Sequence, residues 1–165
     1  LTHPNPACLQ ANSLFTMAIA HAIASGCEAE KLYQNIKQWA ADLAVDPALM
    51  DAIHGAAEGP PEDYVQQQGW VLIAFRNALW QLLNAPSFEA GVVDTVMRGG
   101  DTDTNAAICG ALLGAVYGLD AIPAQWVDWV LNCCPQAGHP GVNRPRPECF
   151  WPVDALELAD RLIQN

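Results

Sequence analysis

The stretch "GGDTDTNAAICGALLG", residues 99–114, places an acidic, oxygen-rich turn directly before an almost wholly apolar run. Residues 106–116 would be apolar on every side of a helix, so we expect this helix to lie at the centre of the fold. Gly110 and Gly114 each cost roughly 1 kcal/mol relative to alanine inside a helix. We expect that cost to be tolerated because neighbouring helices approach closely at these positions.

Helix start and stop signals recur along the rest of the chain. Asparagine, aspartate or serine caps and first-turn prolines open helices, and glycine closes them. No stretch shows sustained strand alternation, and the proline-rich segment 135–152 is predicted to be irregular. We therefore predict an all-α, orthogonally packed multi-helix fold of about seven or eight helices, forming a single domain over residues 1–165. The predicted helices span about 6–25, 28–44, 47–55, 70–83, 88–98, 103–117, 123–133 and 152–163.

The composition excludes some classes of function. The chain has 7 basic and 18 acidic residues, a formal net charge of −11. Affinity for a nucleic-acid backbone needs clustered lysine and arginine, so we expect no such partner. The longest uninterrupted apolar run, Ala106–Gly118, has 13 residues. A helix needs roughly 18 apolar residues to span a membrane, so no membrane span is predicted.

The six cysteines include no Cys-x-x-Cys pair. We expect them to be reduced thiols in a cytoplasmic protein. A zinc site made from Cys133, Cys134, His139 and Cys149 is a weaker alternative, because adjacent cysteines are poorly placed to share one tetrahedral ion. The chain begins with leucine rather than methionine, so we expect the natural start to lie upstream.

The acidic turn has two interpretations. An aspartate or threonine at a helix start can cap backbone N–H groups, and this accounts for one residue of the five at 101–105. Two carboxylates separated by one residue repel each other unless a cation lies between them. The turn offers carboxylate and hydroxyl oxygens, which suit Mg²⁺, Mn²⁺ or Ca²⁺. Gly99 and Gly100 would let the backbone turn sharply and let a ligand come close.

Other known aspartate-rich loops do not match this turn. An EF-hand needs glycine at the sixth position and glutamate at the twelfth, where this chain has Ala106 and Leu112. Phosphatases of the haloacid-dehalogenase type carry their aspartates directly after a buried strand, and Asp-x-Asp glycosyltransferases need an α/β setting. Neither context is predicted here.

Four stretches of the chain resemble one family. "GGDTDTNAAICGALLGAVYG" (99–118) is similar to the C-terminal metal-binding signature of the ADP-ribosylglycohydrolase family, the group that contains the dinitrogenase-reductase-activating glycohydrolase. "LTHPNP" (1–6) resembles the segment that opens a long helix in that family. "GWVLIAFRNALW" (69–80) resembles another helix start, with Trp70 in place of the usual tyrosine. "RPRPECFWPVDALELADRL" (144–162) is similar to the common C-terminal end.

The resemblance implies an all-α metal-dependent hydrolase. Members bind two Mg²⁺ or Mn²⁺ ions and cleave the glycosidic bond between ADP-ribose and a protein side chain or small molecule. It implies that the metal ligands are Asp101, Asp103 and Thr104. It implies substrate binding by His3, Trp70, Gly99, Gly100 and Asn105. No residue is assigned as the catalytic acid or base.

The chain departs from the family in one large respect. The family's N-terminal half carries a Gly-Asp-x-x-Gly segment and a Thr-Asp-Asp-Thr motif, and neither occurs here. The chain therefore corresponds to the C-terminal half of the fold and would supply half of a two-metal site. We expect the missing half, or a second copy of the chain, as its partner. The alternative is a non-catalytic helical module that self-associates or docks on a partner through an exposed apolar face.

Overall fold

A computed structural model describes residues 3–163. The described residues form eight α-helices and three 3₁₀ turns, without a strand, so the all-α prediction is confirmed. The 3₁₀ turns cover Leu119–Ala121, Glu148–Phe150 and Pro152–Asp154. The helices are α1 Pro6–Ser25, α2 Ala29–Asp42, α3 Pro47–Glu58, α4 Val71–Asn84, α5 Phe88–Met97, α6 Thr102–Tyr117, α7 Ala124–Leu131 and α8 Ala155–Ile163.

The helices form two compact units that meet in sequence at Ala121 and Ile122. The first unit contains α1 to α6, and the second contains α7 and α8. Within the first unit, α6 packs on α1, α4 and α5, while α4 also packs on α2 and α3. Every residue of the predicted site belongs to the first unit.

Two predicted helix ends are wrong for identifiable reasons. The third helix does not end near Gly55 but continues to Glu58. A Cβ at Gly55 would lie 2.8 Å from Cζ of Arg76, so this glycine makes room for the arginine rather than stopping the helix. The last helix begins at Ala155, because the residues from Pro152 form a 3₁₀ turn first.

The apolar run is buried on only part of its surface, so the expectation that it lies at the centre on every side is wrong. Cys109, Leu112 and Leu113 are buried, whereas Ala107 and Ala111 are exposed. The close approach between α5 and α6 occurs at a glycine of α5, not at the glycines of the apolar run.

The expectation of tight packing at Gly110 and Gly114 is wrong. A Cβ at either glycine would meet its nearest neighbour at 3.7 Å, an ordinary van der Waals distance. At Gly91 of α5, a Cβ would lie 2.5 Å from Cδ1 of Leu113. The residue that requires glycine for helix contact is therefore Gly91.

One helix among the described residues, α1, is long and apolar enough to cross a membrane by length and composition. Core helices of soluble proteins pass the same test, so it carries little weight. One stripe of this helix packs into the first unit. Its buried members are Ala7, Ala11, Leu14, Ala18 and Ala22.

Candidate metal centre and cleft

The turn between α5 and α6 adopts a backbone that favours glycine. Gly99 and Gly100 have φ angles of 80° and 70°. These angles lie in the left-handed region, where a side chain is strained. A Cβ at Gly100 would also overlap the carbonyl oxygen of Tyr64, whereas Gly99 has open space around it. Gly100 is thus required twice, for its conformation and for the close approach of Tyr64.

Asp101 occupies the position before α6 but does not cap the helix with its side chain. The backbone closes the helix start instead: the N–H of Thr102 donates to the carbonyl of Gly100 at 3.0 Å, and that of Asn105 donates to the carbonyl of Asp101 at 3.0 Å. The ordinary capping interpretation therefore does not explain why an aspartate stands at position 101.

The carboxyl groups of Asp101 and Asp103 lie close together. A hydrogen bond shared with the Asp101 side chain, and then the backbone N–H groups of Asp103 and Thr104, which donate to its carboxylate, hold the pKa of Asp103 below its ordinary value. Asp101 is half-buried, while Asp103 and Thr104 are exposed. Two carboxyls this near each other favour a proton or a cation between them. This donor set of hard oxygens fits Mg²⁺ or Mn²⁺.

The turn does not offer a complete coordination shell. No group of three or more histidine, cysteine, aspartate or glutamate residues within 3–163 is arranged to hold a metal ion. The zinc alternative at Cys133, Cys134, His139 and Cys149 is therefore not supported, and all six cysteines are free thiols. Two carboxylates and one hydroxyl leave much of an octahedral shell to water or to groups from elsewhere.

A cleft of about 670 Å³ lies beside this turn, between the start of α1, the start of α4 and the start of α6. Four residues of the predicted site line it: His3, Trp70, Thr104 and Asn105. Asp101 borders the same place, since a Cβ at the lining residue Gly69 would lie 3.6 Å from Oδ2 of Asp101. Segments far apart in sequence therefore converge here. Leu1 and Thr2 of the first segment lie outside the described residues.

Gly99 and Gly100 are not among the residues that line the cleft. Gly100 packs against Tyr64 instead. Asn105 is buried, at 2% exposure, and contributes to the cleft wall from the first turn of α6.

One row of cleft residues is not predicted from the sequence. Cys8, Asn12 and Thr16 stand four residues apart on α1 and line the cleft. Their spacing puts them on one face of a helix, next to the buried stripe of the same helix. The sequence does show this polar row beside the alanine-rich row of α1. None of its three side chains is a carboxylate, so the row does not stand out as a set of metal ligands.

A network of buried polar side chains lies behind the turn. The hydroxyl of Tyr64 donates to Oδ1 of Asn77 at 2.7 Å, and Nδ2 of Asn77 donates to Oγ1 of Thr95 at 3.0 Å. Thr95 in turn donates to the carbonyl of Gly91 at 2.8 Å. Asn77 and Thr95 are fully buried. Each of these polar groups is paired, so the network joins α4 and α5 without the cost of an unsatisfied group.

A second set of paired polar side chains, centred on Asp94 of α5, leads to the start of the turn. The Arg98 guanidinium donates to both carboxylate oxygens of Asp94, at 2.7 and 3.2 Å, and Gln81 also donates to Asp94. Burial raises the pKa of Asp94, but the hydrogen bonds from Arg98 and Gln81 outweigh it and hold the pKa below its ordinary value. The pair is therefore ionised at neutral pH, and Arg98 is fixed directly before Gly99.

Comparison with known protein families gives a match over nearly the whole chain. The family model for ADP-ribosylglycohydrolase matches residues 1–164. The chain belongs to the ADP-ribosylglycohydrolase family.

The names of individual relatives give the same class. A protein of Acanthamoeba polyphaga mimivirus, named for ADP-ribosyl glycohydrolase activity, is 31% identical over 81% of this chain and 43% of its own length. The ADP-ribosylarginine hydrolase of Pseudomonas putida is 30% identical over 51% of this chain and 22% of its own length. The ADP-ribosyl-[dinitrogen reductase] glycohydrolase of Rhodospirillum rubrum is 34% identical over 38% of this chain and 21% of its own length. This chain thus matches less than half the length of each. No solved structure gives a significant match.

Proposed function

We propose that this chain supplies one half of the active site of an ADP-ribosyl hydrolase. The reaction is cleavage of the glycosidic bond that joins ADP-ribose to a protein side chain or a small molecule. The observation that carries the proposal is the convergence of the Asp101–Thr104 turn with His3 and Trp70 on one cleft. Its volume of about 670 Å³ falls within the usual range for small-molecule sites, roughly 300–1,000 Å³.

The residues of this half-site divide into two roles. Asp101, Asp103 and Thr104 hold Mg²⁺ or Mn²⁺ through their oxygen atoms, which are the ligands these ions prefer. Bound metal ions in such a site orient substrate hydroxyls and activate water. Trp70 offers an aromatic surface to a ring of the substrate, and His3 and Asn105 offer polar groups to it. No residue of this chain is assigned as the catalytic acid or base.

The rest of the metal shell comes from the missing half of the family fold or from a second copy of the chain. The relatives support the first source, because the matched region covers less than half of each of them. The substrate class follows from the same relatives, whose names describe hydrolysis of ADP-ribosylated arginine and of ADP-ribosylated dinitrogen reductase.

The direct test combines metal titration with an assay. We expect Mn²⁺ to bind the chain, and the double variant Asp101→Ala plus Asp103→Ala to lose at least 100-fold in affinity in calorimetry. When the missing half is supplied, ADP-ribose release in the presence of Mg²⁺ should show the same loss.

The matched control removes two other carboxylates. Asp120→Ala plus Asp128→Ala changes the net charge by the same amount at exposed positions that are not part of the turn. This control should bind Mn²⁺ normally, which separates a specific site from the general attraction of a chain with a net charge of −11. Release of ADP-ribose at the wild-type rate by the Asp101/Asp103 variant would contradict the proposal.

A second candidate function rests on the exposed apolar side chains. Met97, Phe150 and Leu162 are each more than 70% exposed. Large exposed apolar groups are typical of surfaces that bind other proteins. A non-catalytic module that self-associates or docks on a partner would show a stable oligomer by light scattering and no response to Mg²⁺ or Mn²⁺. An oligomer that also binds Mn²⁺ at Asp101 and Asp103 would favour the hydrolase.

A further inference from the structure

The segment between α3 and α4, residues 59–70, contains neither helix nor strand. Tyr64 in its middle is only 6% exposed. Loops normally run over the surface and carry exposed side chains, so a buried tyrosine in the middle of one needs an explanation. The explanation lies in what its two ends contact.

The hydroxyl end of Tyr64 is bound to the helices. It donates to Asn77 of α4, and Asn77 donates to Thr95 of α5. Burial raises the pKa of Tyr64 to about 12, so the phenol keeps its proton and remains a donor throughout the neutral range. A change of pH near neutrality therefore leaves this hydrogen bond in place.

The backbone end of Tyr64 contacts the acidic turn. Its carbonyl oxygen occupies the space that a Cβ at Gly100 would need. The guanidinium of Arg98 lies over its ring, at 5.7 Å from the centroid. Further along the same segment, Gly69 faces Oδ2 of Asp101. Tyr64 thus contacts Arg98 and Gly100, which flank Gly99 in the sequence. Its hydroxyl is hydrogen-bonded to Asn77 in the core.

We propose that Tyr64 is a positioning residue that holds the turn at 99–105 so that Asp101 faces the cleft. Its consequence for metal binding rests on the proposed function, whereas the positioning itself does not. Tyr64 is not among the residues that line the cleft. It acts through Gly100 and Arg98, which lie directly before Asp101.

The test compares two tyrosines in the full chain by hydrogen exchange without metal. Tyr64→Phe and Tyr33→Phe each remove one buried hydroxyl, since Tyr33 donates to the carbonyl of Ile53 at 2.8 Å and is 2% exposed. Loss of one such hydrogen bond should speed local opening about fivefold. We expect this increase at the amides of Gly99, Thr102 and Asn105 in Tyr64→Phe and not in Tyr33→Phe.

A second pair of variants keeps the test decisive if Tyr64→Phe folds poorly. Thr95→Val removes the next hydroxyl of the network, and Thr95→Ser retains it. The valine variant should also speed exchange at the turn, and the serine variant should restore the wild-type rate there. Equal exchange at the turn in Tyr64→Phe and Tyr33→Phe, or faster exchange spread evenly over the chain, would overturn the proposal.

Mn²⁺ titration of the same variants separates this inference from the proposed function. Tyr64→Phe should bind Mn²⁺ about fivefold more weakly than Tyr33→Phe if the turn must be ordered before the ion binds. If the wild-type chain binds no Mn²⁺, the proposed function fails, and the exchange experiment alone decides the role of Tyr64.

Discussion

The burial of apolar side chains differs between residues 3–121 and residues 122–163. In the first region Leu14, Leu49 and Leu112 have no exposed surface at all. In the second region no residue is buried, and Phe150 and Leu162 are 72% and 78% exposed. Burial of apolar surface is the main source of folding stability. The first region therefore carries its own core and can hold a site in place, while the second gains little from such burial.

The largest test of this difference makes the same substitution in both regions. Leu112→Ala should lower the free energy of unfolding by about 2–5 kcal/mol, because it leaves a cavity in the core. Leu162→Ala should change it by less than about 0.5 kcal/mol, because that side chain is already exposed. Urea unfolding monitored by circular dichroism measures both. Similar losses in the two variants would mean that Leu162 is buried in solution, and the contrast between the regions would fail.

A second test asks whether the acidic turn shares the rigidity of the core. Gly100→Ala should cost about 3 kcal/mol, since the new Cβ is strained at positive φ and also overlaps the Tyr64 carbonyl. Gly99→Ala is the matched control, with similar φ but open space, and should cost about 1 kcal/mol. Urea unfolding again gives the values. Equal costs would show that the contact between Gly100 and Tyr64 is not maintained in solution.

The smallest test sharpens the description of packing inside the first region. Gly91→Ala should lower stability by about 1–3 kcal/mol, because its Cβ would press on Leu113. Gly110→Ala should raise stability by about 0.5–1 kcal/mol, since the site has room and alanine favours the helix. Thermal unfolding would show opposite shifts of the melting temperature. A loss of stability in Gly110→Ala would contradict the packing described for α6.

The sequence predicted the helices well because their signals are local. Asn5 and Gly26 mark the two ends of α1, and each acts on residues close to it in the sequence. Oδ1 of Asn5 accepts from the N–H of Ala7 at 2.9 Å, and Gly26 has a φ of 58°. Gly55 misled the prediction because its role depends on Arg76, a residue of another helix. A local pattern cannot distinguish a glycine that ends a helix from one that makes room for a neighbour.

The candidate site was predictable only in part, for the same reason. The acidic turn is a short motif whose chemistry can be inferred from its residue types. The burial of Tyr64 and its link through Asn77 to Thr95 depend on how three separate segments meet. Nothing in the neighbourhood of Tyr64 in the sequence distinguishes it from an exposed loop tyrosine. The metal ligand assignments at Asp101, Asp103 and Thr104 stay predictions until a titration tests them.

The distribution of cysteines gives the two regions different reactivity toward alkylating reagents. Cys133, Cys134 and Cys149 are exposed, whereas Cys27 and Cys109 are buried. Burial raises the pKa of Cys109 to about 11, which suppresses the reactive thiolate. A maleimide dye will therefore label the second region and leave the core untouched. Cys8, partly exposed in the cleft wall, gives an intermediate case whose labelling rate reports on whether a ligand occupies the cleft.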